Sequence, residues 1–329
     1  MSDQGTRNSG SCFRPAWWLR NRHLQTIWPT LFARGGRLVT RRERFELDDG
    51  DFLDLDWVGH GRGPIVVVLH GLMGSIQSPY ARGILRRIEA AGWRGLFVHF
   101  RGCSGEANRL PRAYHSGDTG DLAAVIETVH RREPSTPMAA VGYSLGGNAL
   151  LKWLSETGGR NPLRAAVAVS VPFDIERVAD RIHQGFSRVY ERRLTRLLQQ
   201  TLREKIDRFG DQMPVSRSRV RELDDFWSFD DAVTAPLHGF EDARDYYTRS
   251  SARQFLPGIK TPTLILHAKD DPFMTPDVIP EPGELSKTTT LEVSDGGGHV
   301  GFVGGDWPWA ARYWLEERIP LYLQGQFEE

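Results

Sequence analysis

The chain is expected to fold as an α/β protein with a mostly parallel central sheet and helices on both faces. Short apolar runs such as Ile65-Val66-Val67-Val68-Leu69 suit strands buried on both sides. Between such runs lie stretches of helical period, the kind of crossover that parallel strands require. With 329 residues, 40% of them hydrophobic and 26% charged, the chain can bury a large core without disulfide or metal staples.

Residues 1–44 read as an N-terminal arm. Met1 to Cys12 is polar and rich in Gly and Ser, without the apolar centre of a secretory signal. The following stretch interleaves Trp17, Trp18, Ile27, Trp28, Leu31 and Phe32 with many arginines. Its apolar spacing is not cleanly helical. The expectation is an arm whose tryptophans pack on the domain while the arginines face water, with peripheral contact to a membrane surface as the alternative. Residues 45–58 read as a hairpin turning at Asp48-Asp49-Gly50. Its acids, Asp48, Asp49, Asp51, Asp54 and Asp56, lack the glycine and terminal glutamate of a calcium loop and are expected at turn and solvent-facing positions.

From residue 65 the pattern alternates. A helix is expected over 80–91, a strand over 95–100, a helix over 118–132, a strand over 138–141, a helix over 145–155 and a strand over 165–169. Buried strands then stop until 263–267 and 289–293, and a final helix is expected over 306–317. The helical, highly charged stretch 173–256 is too long for a structureless loop. It is expected to be a cap inserted at one end of the sheet, within an α/β core of residues 45–172 and 257–329.

Lys and Arg number 42 and Asp and Glu number 42, a balance that argues against nucleic acid as the main partner. Cys12 and Cys103 are the only cysteines and fit neither a disulfide framework nor a zinc site. No window holds about 18 uninterrupted apolar residues, so a cytoplasmic protein without a transmembrane segment is expected. A Walker A motif and a strand-to-helix G-x-G-x-x-G are both missing, which disfavours nucleotide binding.

The strongest chemical signal is Gly142-Tyr143-Ser144-Leu145-Gly146, placed where a strand meets a helix. A serine on so tight a turn is lifted into a cleft, and flanking glycines avoid collision with neighbouring backbone. A serine hydroxyl attacks only if a base takes its proton, and that base needs an orienting acid. Asp270-Asp271 follows the strand ending at His267, and His299 follows the next strand in Asp295-Gly296-Gly297-Gly298-His299, a glycine-rich loop expected to let the ring set freely. The order Ser, Asp, His is that of an α/β-hydrolase. The expected triad is Ser144, Asp271 and His299, with Asp270 as the other candidate acid. His70, His99, His115, His130, His183, His238 and His267 are expected in packed or surface roles. The oxyanion hole is assigned to the backbone N–H groups of Leu72 and Leu145, with Met73 as the alternative to Leu72. Phe173, Phe186, Tyr190, Phe226, Trp227, Phe229 and Phe240 are candidates for an apolar acyl pocket or for the cap's own core.

Five stretches together resemble a known family. They are Arg22-His23-Leu24-Gln25-Thr26-Ile27-Trp28-Pro29, His70-Gly71-Leu72-Met73-Gly74-Ser75, Phe100-Arg101-Gly102-Cys103-Ser104-Gly105 with Asn108, Tyr114-His115-Ser116-Gly117-Asp118-Thr119, and Gly142 through Asn148. The chain resembles the YheT-like branch of the α/β-hydrolases, grouped with the eukaryotic ABHD1/ABHD3 type as the AB hydrolase 4 family. The resemblance runs from about Arg14 to the final helix and is weakest over the cap. It implies a carboxylic ester hydrolase without cofactor or metal, acting on a small-molecule ester. Lipid esters are substrates in some relatives, and the catalytic roles carry over to Ser144, Asp271 and His299. It also suggests a functional loop around Tyr114 to Asp118, whereas composition alone gives a polar turn and a helix cap. For Arg101 a structural salt bridge is expected as readily as a role in the site.

Overall fold

The computed structural model describes residues 13–33 and 38–328; Cys12 and the remainder of the arm lie outside them. After helix α1 (Arg22–Phe32), the hairpin β1 (Arg41–Glu46) and β2 (Phe52–Val58) joins one edge of a sheet. That sheet continues through β3 (Ile65–Leu69), β4 (Arg94–Val98), β5 (Met138–Tyr143), β6 (Leu163–Val169), β7 (Thr263–Ala268) and β8 (Thr289–Ser294). The order is β1-β2-β4-β3-β5-β6-β7-β8, antiparallel at β1-β2-β4 and parallel from β4 onward.

Alternate side chains of one strand enter two separate cores. Ile65, Val67 and Leu69 pack with Val125 of α3 (Gly120–Arg132) and Leu150 of α4 (Leu145–Thr157). Val66 and Val68 pack on the opposite face with Ile84 and Ile88 of α2 (Pro79–Ala90). Since both faces are covered, the strand has no polar side, and its sequence is an unbroken apolar run.

Residues 175–250 contain helices and no strand: α5 (Ile175–Ile182), α6 (Arg188–Phe209), α7 (Phe226–Phe229), α8 (Ala235–His238) and α9 (Ala243–Ser250). A single π-helical turn, Asp230–Thr234, links α7 to α8. Beyond β8 comes a small hairpin of β9 (Val303–Gly304) and β10 (Arg312–Tyr313), then α10 (Leu315–Glu328). Among the described residues no helix is long and apolar enough to cross a membrane.

Three expectations need correction. The final helix lies at Leu315–Glu328 rather than 306–317, because Leu315, Ile319 and Leu323 are the residues that recur every four positions and reach the core. The arm holds a true helix, α1, capped by Asn21, whose side chain accepts from the N–H groups of His23 and Leu24. The hairpin acids Asp51, Asp54 and Asp56 are buried, not solvent-facing. Pairing across the hairpin sets Arg42 opposite Asp56 and Arg44 opposite Asp54, with ion pairs at 2.9 and 3.0 Å. His99 lies 2.7 Å from Asp56, and Arg101 reaches Asp49, Asp51 and Asp121 at 2.8, 3.1 and 2.7 Å. A buried carboxylate is tolerable when it is paired in this way. Arg101 is thus committed to structure.

Candidate active site

Strand β5 passes into α4 through the single residue Ser144, held at φ 51° and ψ −119°. A non-glycine residue in this region costs roughly 1–3 kcal/mol and persists only where its surroundings fix it. Here the Ser144 N–H donates to the Val169 carbonyl at 2.8 Å, and the Ser144 carbonyl accepts from the Asn148 N–H at 3.0 Å. Gly146 is required by close approach: a Cβ there would lie 2.5 Å from the His70 carbonyl oxygen. The first turn of α4 therefore packs directly on the end of β3. The Ser144 hydroxyl projects from the carboxyl end of the parallel strands, where open α/β sheets bind ligands.

His299 reaches this hydroxyl from the loop after β8. Its Nε2 lies 3.0 Å from Ser144 Oγ, and its Nδ1 lies 2.7 Å from Asp271 Oδ2. The carboxylate can only accept, so Nδ1 carries the proton and Nε2 is free to accept from the serine. Asp271 is 1% exposed, and its second oxygen accepts from the Phe273 N–H at 2.9 Å. The Phe273 ring stacks on the imidazole with centroids 4.0 Å apart. Asp270 points elsewhere: it accepts from the Gly298 N–H at 2.9 Å, and burial raises its pKa.

The glycines around His299 do not free the ring; they let α1 clamp the loop. A Cβ on Gly301 would lie 2.3 Å from the Gln25 carbonyl oxygen. Thr26 Oγ1 accepts from the His299 N–H at 2.9 Å while donating to the Arg22 carbonyl at 2.8 Å. Gln25 is fully buried, donating to the Leu19 and Val303 carbonyls and accepting from the Val303 N–H. Sequence reading missed both residues. The available signal was their polarity between apolar neighbours, visible only once α1 is accepted as a helix.

Leu72, Met73 and Leu145 line the same cavity as Ser144. The Met73 N–H is occupied, donating to the Tyr114 hydroxyl at 2.8 Å. Buried His70 shapes this loop. Its Nε2 accepts from the Phe100 N–H at 3.1 Å, so Nδ1 carries the proton and donates to the Gly71 carbonyl at 2.6 Å. Burial drives its pKa down to about 3, so the ring stays neutral and keeps that tautomer.

Tyr114, His115 and Ser116 line the same cavity as Ser144, and Ser116 is also tied to the framework. The Asn148 amide donates to the carbonyls of Ser116 and Ser250 at 2.9 and 2.7 Å, and its oxygen accepts from the Ala252 N–H at 2.9 Å. Three buried backbone groups thus depend on one side chain. Asn148→Ala is expected to lower stability by about 3 kcal/mol in denaturant titration.

The cavity beside Ser144, about 140 Å³, extends between Val178 of α5, Leu194, Leu198 and Leu202 of α6, and Phe229 and Val233. Of the aromatic candidates only Phe226 and Phe229 line it. Phe173 belongs to the sheet core, Phe186 is 53% exposed, and Trp227 and Phe240 pack within the helical region.

Comparison with known proteins agrees with this architecture. The family model for the alpha/beta hydrolase fold matches residues 64–306. YheT of Escherichia coli (strain K12) is 43% identical over 331 residues, covering 99% of this chain and 97% of that protein. Phospholipase ABHD3 of Mus musculus is 28% identical over 327 residues, covering 96% of this chain and 79% of its own length. Among solved structures, the esterase Pf2001 of Pyrococcus furiosus aligns with a TM-score of 0.57 at 15% identity, over 87% of this chain and 91% of its own, a likeness of fold. The chain belongs to the α/β-hydrolase family, in the branch that includes YheT.

Proposed function

We propose that the protein hydrolyses carboxylic esters through an acyl-enzyme formed on Ser144. The observation that carries the reading is the unbroken hydrogen-bonded line from Asp271 through His299 to Ser144, at 2.7 and 3.0 Å. His299 Nε2 takes the serine proton as the oxygen attacks the acyl carbonyl, and Asp271 stabilises the imidazolium. The Phe273 face stacked on the ring favours the same cationic form. The N–H groups of Leu72 and Leu145 receive the oxyanion; Leu72 is preferred to Met73 because the Met73 N–H is already bonded to Tyr114. Protonated His299 then releases the alcohol, and the same nitrogen activates water to free the acid.

The substrate class is an ester with an apolar acyl chain, a lipid ester included, as the name of the mouse relative suggests. Residues 173–256 act as a cap on the core of 45–172 and 257–329, its leucines forming the acyl pocket. The test is fluorophosphonate labelling together with hydrolysis of esters of graded chain length. A folded protein that is neither labelled nor active on any chain length would overturn the proposal. Product analysis in added alcohol separates hydrolysis from acyl transfer by the same intermediate.

Peripheral membrane contact rests on a separate observation. Trp17, Trp307 and Trp309 are 59%, 51% and 81% exposed; Trp17 meets Trp307 edge to face and Trp307 stacks on Trp309, with ring centroids at 6.1 and 5.4 Å. Exposed tryptophans are suited to a headgroup interface. Cosedimentation with anionic liposomes is expected to fall severalfold in Trp307→Ser/Trp309→Ser; equal sedimentation would dismiss the contact.

A further inference from the structure

We propose that His115 and Asp230 form a polar subsite in the cavity beside Ser144, which recognises a hydroxyl group on the acyl chain of the ester. The inference rests on the ester-hydrolase reading and names the substrate class of that same site.

Both residues line the cavity that holds Ser144, among side chains that are mostly apolar. The Gly117 N–H donates to His115 Nδ1 at 3.2 Å, which requires a lone pair there, so the ring proton sits on Nε2. Burial, followed by the charge of His238, drives the His115 pKa down to about 3, and the ring stays neutral in that tautomer. The rings of His238, Phe240 and Tyr246 pack around the imidazole with centroids 4.7, 5.2 and 5.6 Å away. His115 is nonetheless only half-buried. Its Nε2 bonds to no protein atom among the described residues and is not sealed from the accessible surface. A fixed N–H donor thus faces the cavity.

Asp230 supplies the acceptor. It opens the π-helical turn between α7 and α8, an irregular geometry that recurs at functional sites. Its oxygens accept from Thr234 Oγ1 at 2.6 Å and from the Tyr247 hydroxyl at 2.9 Å, two of the roughly four positions a carboxylate offers. No cation offsets it: the charged neighbour that acts on it is another acid, Asp225, and burial raises its pKa to about 6. Two short bridges set the acceptor on the same wall as the donor. His238, stacked near His115, donates from Nδ1 to the Thr234 carbonyl at 2.7 Å. Tyr246, the other neighbour of His115, packs 5.2 Å from the ring of Tyr247.

The pairing of donor with acceptor selects the ligand. A carboxylate would be repelled by Asp230, and an ammonium has no lone pair for His115. A hydroxyl both accepts and donates, so it meets either group or both. In an apolar cavity a hydroxyl without partners is penalised, whereas here a plain chain would leave two polar groups unmatched. The portion of the ester that fills the cavity is the acyl chain, and the hydroxyl is therefore carried on that chain.

The test compares ethyl esters of hexanoate, β-hydroxyhexanoate and ω-hydroxyhexanoate on wild type, H115F and D230L. Wild type is expected to favour one hydroxy ester over hexanoate in kcat/KM, and that preference is expected to fall about tenfold in each variant, the size of one buried hydrogen bond. No preference in wild type, or a preference that either folded variant leaves unchanged, with ethyl hexanoate still hydrolysed, overturns the proposal and leaves the hydrolase reading intact. A preference for glycerol monohexanoate over propyl hexanoate that the variants abolish, with none among the hydroxyacyl esters, puts the hydroxyl on the alcohol and overturns the acyl assignment. Calorimetry of the same ethyl esters on Ser144→Ala decides the subsite without turnover: binding of the favoured hydroxy ester about tenfold weaker once H115F is added supports it, and equal binding overturns it. If D230L loses its fold because Thr234 and Tyr247 lose their acceptor, H115F, which keeps a ring in the aromatic cluster, carries the test.

Discussion

Ser144→Ala is expected to abolish fluorophosphonate labelling and to lower kcat on esters by about 10⁵-fold, with residual turnover from the oxyanion donors and binding alone. The size of the effect follows from chemistry: without Oγ no acyl-enzyme forms, and His299 is left with only water to activate. Stability should change little, since alanine keeps the Cβ at φ 51° and, among the described residues, the hydroxyl bonds only to His299. Intact-protein mass spectrometry for labelling and a thermal melt for stability check both halves. Labelling that survives in the variant would assign the nucleophile elsewhere.

Asp271→Asn is expected to lower kcat about 10⁴-fold, whereas Asp270→Asn should lower it by roughly tenfold or less. Both carboxylates follow β7, and only geometry separates them. Asp271 lies 2.7 Å from His299 Nδ1 and fixes the tautomer with Nε2 unprotonated. An amide at 271 can donate to Nδ1, which moves the proton to Nε2 and removes the base. Asp270 instead accepts from the Gly298 N–H at 2.9 Å; its loss loosens the loop while the acid stays in place. Single-turnover rates with both variants, alongside melting curves, measure the difference. Equal losses would mean that loop position outweighs the acid.

Several features could be read from local pattern because local physics dictates them. The run at residues 65–69 must be buried on both faces, and the glycine spacing around Ser144 has few uses other than a sharp strand-to-helix turn. The order Ser144, Asp271, His299 was legible for the same reason, each following a strand that ends at one edge of the sheet. The acids of the β1-β2 hairpin were misread, since alternation marks the polar side of a strand but not what covers it. Arg42, Arg44 and Arg101 cover them, and Arg101 comes from a distant loop.

The amino-acid sequence by itself determined the sheet, its two-sided burial and the residue types that meet at its carboxyl edge, because period and glycine placement act over a few neighbouring residues. Tertiary structure alone decided which aspartate orients His299 and that Tyr114 occupies the Met73 N–H. It also decided that Gln25 and Thr26, some 270 residues away in sequence, hold the histidine loop. Those outcomes depend on hydrogen bonds between segments far apart in the chain, whose partners are set by packing rather than by local spacing.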